Sequence, residues 1–123
     1  MILGDGSYVV TLEKRGYVKA GDWTPEASVE VSCSSLPFQT QEPDGVKTLG
    51  REFAKAGADV TQTFTFYSTD DWVGTFEEED APKLSCKQIN TAACKIAKEV
   101  SEEYGTIVCG GITQTETYVR DPK

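Results

Sequence analysis

The chain contains no histidine and only one methionine among its 123 residues. Without histidine there is no commonest general base, no Ser–His–Asp arrangement and no imidazole-based zinc site. Cations are scarce too: 12 Lys and Arg stand against 20 Asp and Glu, a net charge of −8. Binding to nucleic acid or an anionic membrane draws on Lys/Arg clusters, and none is present, so neither is an expected partner. Long apolar runs are missing as well, and nothing approaches the roughly 18 residues of a membrane span. The amino terminus, MILGDG, lacks the basic and apolar regions of a signal peptide, so a soluble, cytoplasmic protein is expected.

The four cysteines, Cys33, Cys86, Cys94 and Cys109, include no CxxC pair. On one helix Cys86 and Cys94 would lie about 12 Å apart, at about 1.5 Å per residue, too far to share an ion. All four read as free thiols, with Cys94 and Cys109 expected in the core. The acidic run at 77–80 (EEED) reads as a solvated patch rather than a metal site.

What is present fits one domain with a modest core. Residues 56–68, AGADVTQTFTFYS, organise the rest. Gly57 ends a helix, an apolar strand runs over 59–63, and an aromatic corner follows at Phe64, Phe66 and Tyr67. In parallel α/β units ligands gather outside the carboxyl ends of the strands. Phe66 and Tyr67 therefore stand where a site would be built, although FTFY also reads as the buried end of a strand.

Taken in order, residues 1–3 read as a clipped strand running into Gly4-Asp5-Gly6, which is a ligand corner or an ordinary turn. Residues 7–14 form a short helix or extended segment closed by Gly16. Thr24 can cap a helix opened by Pro25. Residues 31–41 interrupt the pattern and read as a surface loop. A helix over 43–56 follows, with Val46, Leu49, Phe53 and Ala56 at helical spacing; Gly50 inside it costs about 1 kcal/mol relative to alanine. Residues 68–84 are a long polar loop, of a length that tends to be functional or mobile. Ser85 and Gln88 make a capping box for a helix striped by Ile89, Ala92, Ala93, Ile96, Ala97, Val100 and Tyr104, ended by Gly105. A last strand spans 106–109 and runs into Gly110-Gly111. Strand–helix–strand–helix–strand is a parallel α/β pattern.

Several stretches together resemble one family. GDG at 4–6, LEKRGYVKAGDWTPE at 12–26, QTFTFY at 62–67, NTAAC at 90–94 and GGITQT at 110–115 are similar to the amino-terminal part of the betaine–homocysteine S-methyltransferases. The resemblance covers nearly the whole chain except 31–41, which looks like an insertion. It implies the first three βα units of a (β/α)8 barrel, a zinc-activated homocysteine thiol, and methyl transfer from betaine giving methionine and dimethylglycine. By the same resemblance Asp5 meets the amino group of homocysteine with Gly6 beside it, and Thr24 contacts the amino-acid end of the substrate. Trp23, Phe66 and Tyr67 line the betaine side.

Those residue types suit the task. A quaternary ammonium has no N–H to donate, so it is held by aromatic faces, and a carboxylate pairs with an α-ammonium. Each also has a plainer reading: Asp5 as a turn residue, Trp23 and Tyr67 as packing aromatics, Thr24 as a helix cap. The chain departs from the family in two ways. Gly50 stands where the family tends to carry histidine, and the family's cysteine zinc ligands, two of them in a Gly-Gly-Cys-Cys motif, match none of the four cysteines here. No catalytic or metal-ligating residue is therefore assigned, and the expectation is an inactive amino-terminal fragment. The alternative is a non-catalytic module that binds a partner through an open sheet edge. A family-type oligomer is compatible with either.

Overall fold

The computed structural model describes residues 1–17, 43–71, 73, 84–113 and 115. The order is α1 (Tyr8–Lys14), α2 (Pro43–Lys55), β1 (Val60–Gln62), α3 (Cys86–Tyr104) and β2 (Ile107–Cys109). The loop expected at 31–41 and the cap at Thr24 lie outside the described residues.

Helix ends follow from glycine placement. After α1, Tyr17 N–H reaches Leu12 C=O at 2.9 Å and Gly16 N–H reaches Glu13 C=O at 3.0 Å. After α2, Ala58 N–H reaches Phe53 C=O and Gly57 N–H reaches Ala54 C=O, both at 3.1 Å. Both patterns are Schellman closures, which need a left-handed residue; Gly16 and Gly57 supply it with φ of +76° and +104°. The short segment at 7–14 is thus a helix. At the start of α3, Ser85 accepts from Gln88 N–H while the Gln88 side chain accepts from Ser85 N–H. The expected capping box is present.

Strands β1 and β2 pair in parallel, with Val60 opposite Ile107 and Gln62 opposite Cys109. Residues 1–3 do not form the expected strand. Leu3 C=O accepts from Asp59 and Val60 N–H at 2.8 and 3.2 Å, but the Asp59 carboxylate takes Leu3 N–H at 2.9 Å. A side chain thus occupies the donor a ladder would use, and Met1 and Ile2 stay exposed.

The core lies between α1, α2 and the strand end, where Leu12, Val46, Leu49 and Phe64 pack together. From α3, Ile89, Ala93, Ala97 and Val100 are buried at three- and four-residue steps, one face of a helix. Tyr104, expected on that stripe, is exposed. Helices α2 and α3 approach closely at Gly50: a Cβ there would lie 3.3 Å from Val100 Cγ2. Lys47–Glu99 and the two-pronged Arg51–Glu103 pair, with both N···O distances 2.6 Å, join the rims of these helices.

Two cysteine expectations are corrected. Cys94 and Cys109 are exposed free thiols, and Cys86 is a partly buried one. Cys94 sits one residue past Ala93 and so turns off the buried stripe. Cys109 lies on β2, every residue of which is exposed. Among the described residues no helix is long and apolar enough to cross a membrane.

Candidate functional site

Beyond their carboxyl ends, β1 and β2 turn into corners that threonines lace together. Thr63 N–H donates to Cys109 C=O at 2.9 Å. Gly111 N–H donates to the Thr63 hydroxyl at 2.9 Å, and the Thr65 hydroxyl donates to Gly111 C=O at 3.0 Å. Tyr67 N–H reaches the Thr113 hydroxyl at 3.2 Å. Thr63 and Thr65 are buried, so these bonds satisfy groups that would be costly to leave alone. Gly111 admits the arrangement, since a Cβ there would sit 2.8 Å from Thr65 Oγ1.

A cavity of about 300 Å³ opens beside these corners, lined by Gly6, Tyr8, Gln62, Phe64, Phe66 and Gly111 among others. That volume suits a small ligand. Its walls come from three separate places in the chain: the GDG corner with the start of α1, the FTFY corner, and the Gly110-Gly111 corner.

The aromatic corner divides its labour. Phe64 is buried in the core, as the plainer reading of FTFY has it, whereas Phe66 is 46% exposed. The Phe66 and Tyr67 rings lie 4.4 Å apart between centroids, inclined at 47°. Tyr67 adopts φ of +59°, a left-handed conformation whose strain of about 1–3 kcal/mol persists only where surroundings enforce it. Here the Thr113 hydroxyl and the turn bond from Ser68 N–H to Thr65 C=O hold it.

Asp5 is half-buried, and its Oδ2 accepts from Gln62 N–H at 2.7 Å, tying the GDG corner to the end of β1. Gly6 passes against Phe53: a Cβ on it would lie 2.6 Å from the ring. Beside them, burial pushes the Tyr8 phenol well above its ordinary range, and the nearby charge of Asp5 adds to the shift. Of the six candidates, Gly6 and Phe66 line the cavity, with Asp5 and Tyr67 as their chain neighbours. Trp23 and Thr24 lie outside the described residues. Tyr8, Thr63 and Gly111 were not singled out by sequence reasoning. Only the nearness of Tyr8 to GDG hints at it.

Among the described residues no three of His, Cys, Asp or Glu come together as a group that could hold a metal ion.

The sequence model describing homocysteine S-methyltransferase matches residues 2–123. The chain is 48% identical over 119 residues to betaine–homocysteine S-methyltransferase 1 of Xenopus tropicalis, covering 97% of this chain and 27% of that protein. The Sus scrofa protein of the same name is 45% identical over 119 residues, with 97% and 39% covered. That of Danio rerio is 47% identical over 121 residues, with 97% and 26% covered. The chain thus spans between about a quarter and two-fifths of the length of these relatives. With the match running through all three corners that wall the cavity, the chain belongs to the homocysteine S-methyltransferase family.

Proposed function

We propose that the chain forms the opening three βα units of a (β/α)8 S-methyltransferase and supplies part of its substrate site. In the reaction the homocysteine thiol first gives up its proton to solvent, and the resulting thiolate attacks a methyl carbon of betaine. The S–C bond forms as the C–N bond breaks, and the electron pair returns to nitrogen, giving methionine and dimethylglycine. Asp5 receives the α-ammonium of homocysteine, with Gly6 allowing close approach. Phe66 and Tyr67, with Trp23, face the quaternary ammonium of betaine, each cation–π contact contributing about 0.5–2 kcal/mol. Thr24 contacts the amino-acid end of homocysteine. The observation that carries this reading is the meeting of Gly6 and Phe66, 60 residues apart, in one cavity at the carboxyl ends of parallel strands.

The resemblance implies a zinc-activated thiol, and among the described residues no three His, Cys, Asp or Glu come together to hold the ion. Thiol activation is assigned to none of them, and the 123 residues alone are proposed to bind without turnover. The test is transplantation. This chain replaces the matching 119-residue stretch of the Xenopus tropicalis relative, and methyl transfer from betaine to homocysteine is assayed. Retained turnover, with a raised betaine KM in the Phe66→Ala version, supports the reading. A folded but inactive chimera overturns it, and turnover by the 123 residues alone with zinc overturns the assignment of thiol activation elsewhere.

A second reading has its own observation. Strand β2 leaves Ile107 60% and Val108 41% exposed, whereas parallel sheets are normally covered on both faces. A non-catalytic module that takes another strand on this edge accounts for that. Light scattering separates the two: a concentration-dependent dimer abolished by Val108→Lys favours the module, a monomer at all concentrations opposes it.

A further inference from the structure

Asp59 grips the amino-terminal segment with both its backbone and its side chain. Its N–H donates to Leu3 C=O at 2.8 Å, and its Oδ2 accepts from Leu3 N–H at 2.9 Å. Asp59 is itself fixed, because its C=O accepts from Ile107 N–H at 2.8 Å where β2 begins. Two residues beyond Leu3, Asp5 Oδ2 accepts from Gln62 N–H at 2.7 Å. Two carboxylates, one from each segment, thus stand in for ladder bonds on either side of Gly4. Gly4 has open space where a Cβ would be and no left-handed φ. Neither crowding nor backbone geometry demands glycine there. A glycine link has little stiffness of its own, so the course of the chain into Asp5 is set by what grips the residues around it.

We propose that Asp59 is a positioning residue for Asp5, clamping Leu3 so that the GDG corner stays docked on the end of β1. Past Asp5 the corner is backed by Phe53, whose ring lies 2.6 Å from where a Cβ on Gly6 would be. A carboxylate has about four acceptor positions, so the bond from Gln62 N–H leaves Asp5 able to receive an ammonium. Without the clamp, Leu3 N–H turns to water and the Gly4 link swings. The corner then holds its binding geometry for only a fraction of the time, and apparent affinity falls by that fraction. Asp59 does not line the cavity, so it acts through Leu3 and not on substrate. The inference rests on the reading that Asp5 receives the α-ammonium of homocysteine.

The experiment is calorimetric titration of L-homocysteine, and separately of betaine, into the 123-residue chain and its variants, with thermal unfolding of each as a fold control. Asp5→Asn tests the underlying reading, and its homocysteine affinity should be largely lost. Asp59→Ala should weaken homocysteine about fivefold, the effect of one hydrogen bond of ordinary net strength on a population. It should leave betaine unchanged, because betaine has no N–H for Asp5 to receive. Asp59→Asn keeps an oxygen that accepts from Leu3 N–H and should restore homocysteine binding. Gly4→Ala added to Asp59→Ala should recover part of the loss, since alanine narrows the freedom of the link. Should Asp59→Ala not fold, Asp59→Leu, close to aspartate in size and without an acceptor, takes its place.

If Asp5→Asn weakens homocysteine while Asp59→Ala does not, the positioning role is overturned and the reading of Asp5 stands. If Asp5→Asn leaves affinity unchanged, or the unaltered chain binds no homocysteine, both fall. Equal weakening of homocysteine and betaine by Asp59→Ala reduces Asp59 to a stability residue and overturns the proposal. An Asp59→Asn that binds as weakly as Asp59→Ala shows that charge, not the clamp, matters, and overturns it as well. So does a Gly4→Ala that recovers nothing, because the loss then does not run through the link.

Discussion

The α2–α3 layer and the strand-end corners are built by opposite means. In the helical layer, stops and caps are local: Gly57 and Gly105 end the helices, Ser85 and Gln88 begin α3, and the buried faces repeat at helical spacing. At the corners nearly every holding bond is long-range, joining residues 46 to 57 positions apart, from Thr65–Gly111 to Asp5–Gln62. Each helix can form from neighbours in sequence, whereas the corners exist only once three segments have met. Strain and exposure also collect at the corners, in left-handed Tyr67 and half-exposed Phe66. A ligand site gains from groups held by a fold yet not consumed by its packing.

That contrast breaks most sharply under substitution. Leu49→Ala, at a site only 1% exposed, should lower stability by about 2–5 kcal/mol in urea unfolding, taking both regions down together. Thr63→Val removes the acceptor for Gly111 N–H and should cost about 1–3 kcal/mol. Hydrogen exchange should then quicken at 110–113 and leave α3 protected. Faster exchange along α3 would show that the regions are not separable.

Ser85→Ala deletes the α3 cap and should cost about 0.5–2 kcal/mol by the same urea assay, with cavity affinities unchanged. The smallest effect is acid sensitivity at the helix rims. Hydrogen bonds from Arg15, Lys47 and Arg51 hold Glu52, Glu99 and Glu103 below the ordinary carboxyl value of 4.5. A carboxyl lowered on folding stabilises fully above its unfolded value, and the contribution fades as pH falls through the folded one. A shallow fall in Tm below about pH 4.5, weakened further by salt, is expected of such surface pairs.

How far the sequence carried the structure follows the same divide. Glycines 16, 57 and 105 marked helix ends because only the left-handed region closes those turns. The capping box and the parallel pairing of β1 with β2 were legible for similarly local reasons. Residues 1–3 were not, because Asp59, 56 positions from Leu3, takes the backbone donor a strand would use. Cys94 and Cys109 were misplaced because apolar character does not say which face of a helix or which edge of a sheet is covered. Gly50 read as a helix defect until Tyr8 and Val100 were seen against it. In the site, the residue types and their place at strand ends were legible, but the partner of Asp5 was not. Its bond to Gln62 spans 57 positions, and no periodicity reports such a contact.

The most direct measurement follows backbone amides by NMR while betaine and then homocysteine are titrated into the chain. Saturable shifts at Gly6, Phe66, Gly111 and Thr113, with α2 and α3 undisturbed, are the predicted result. Shifts that spread over the helical face, or none at these four residues, would contradict a substrate cavity at the strand ends.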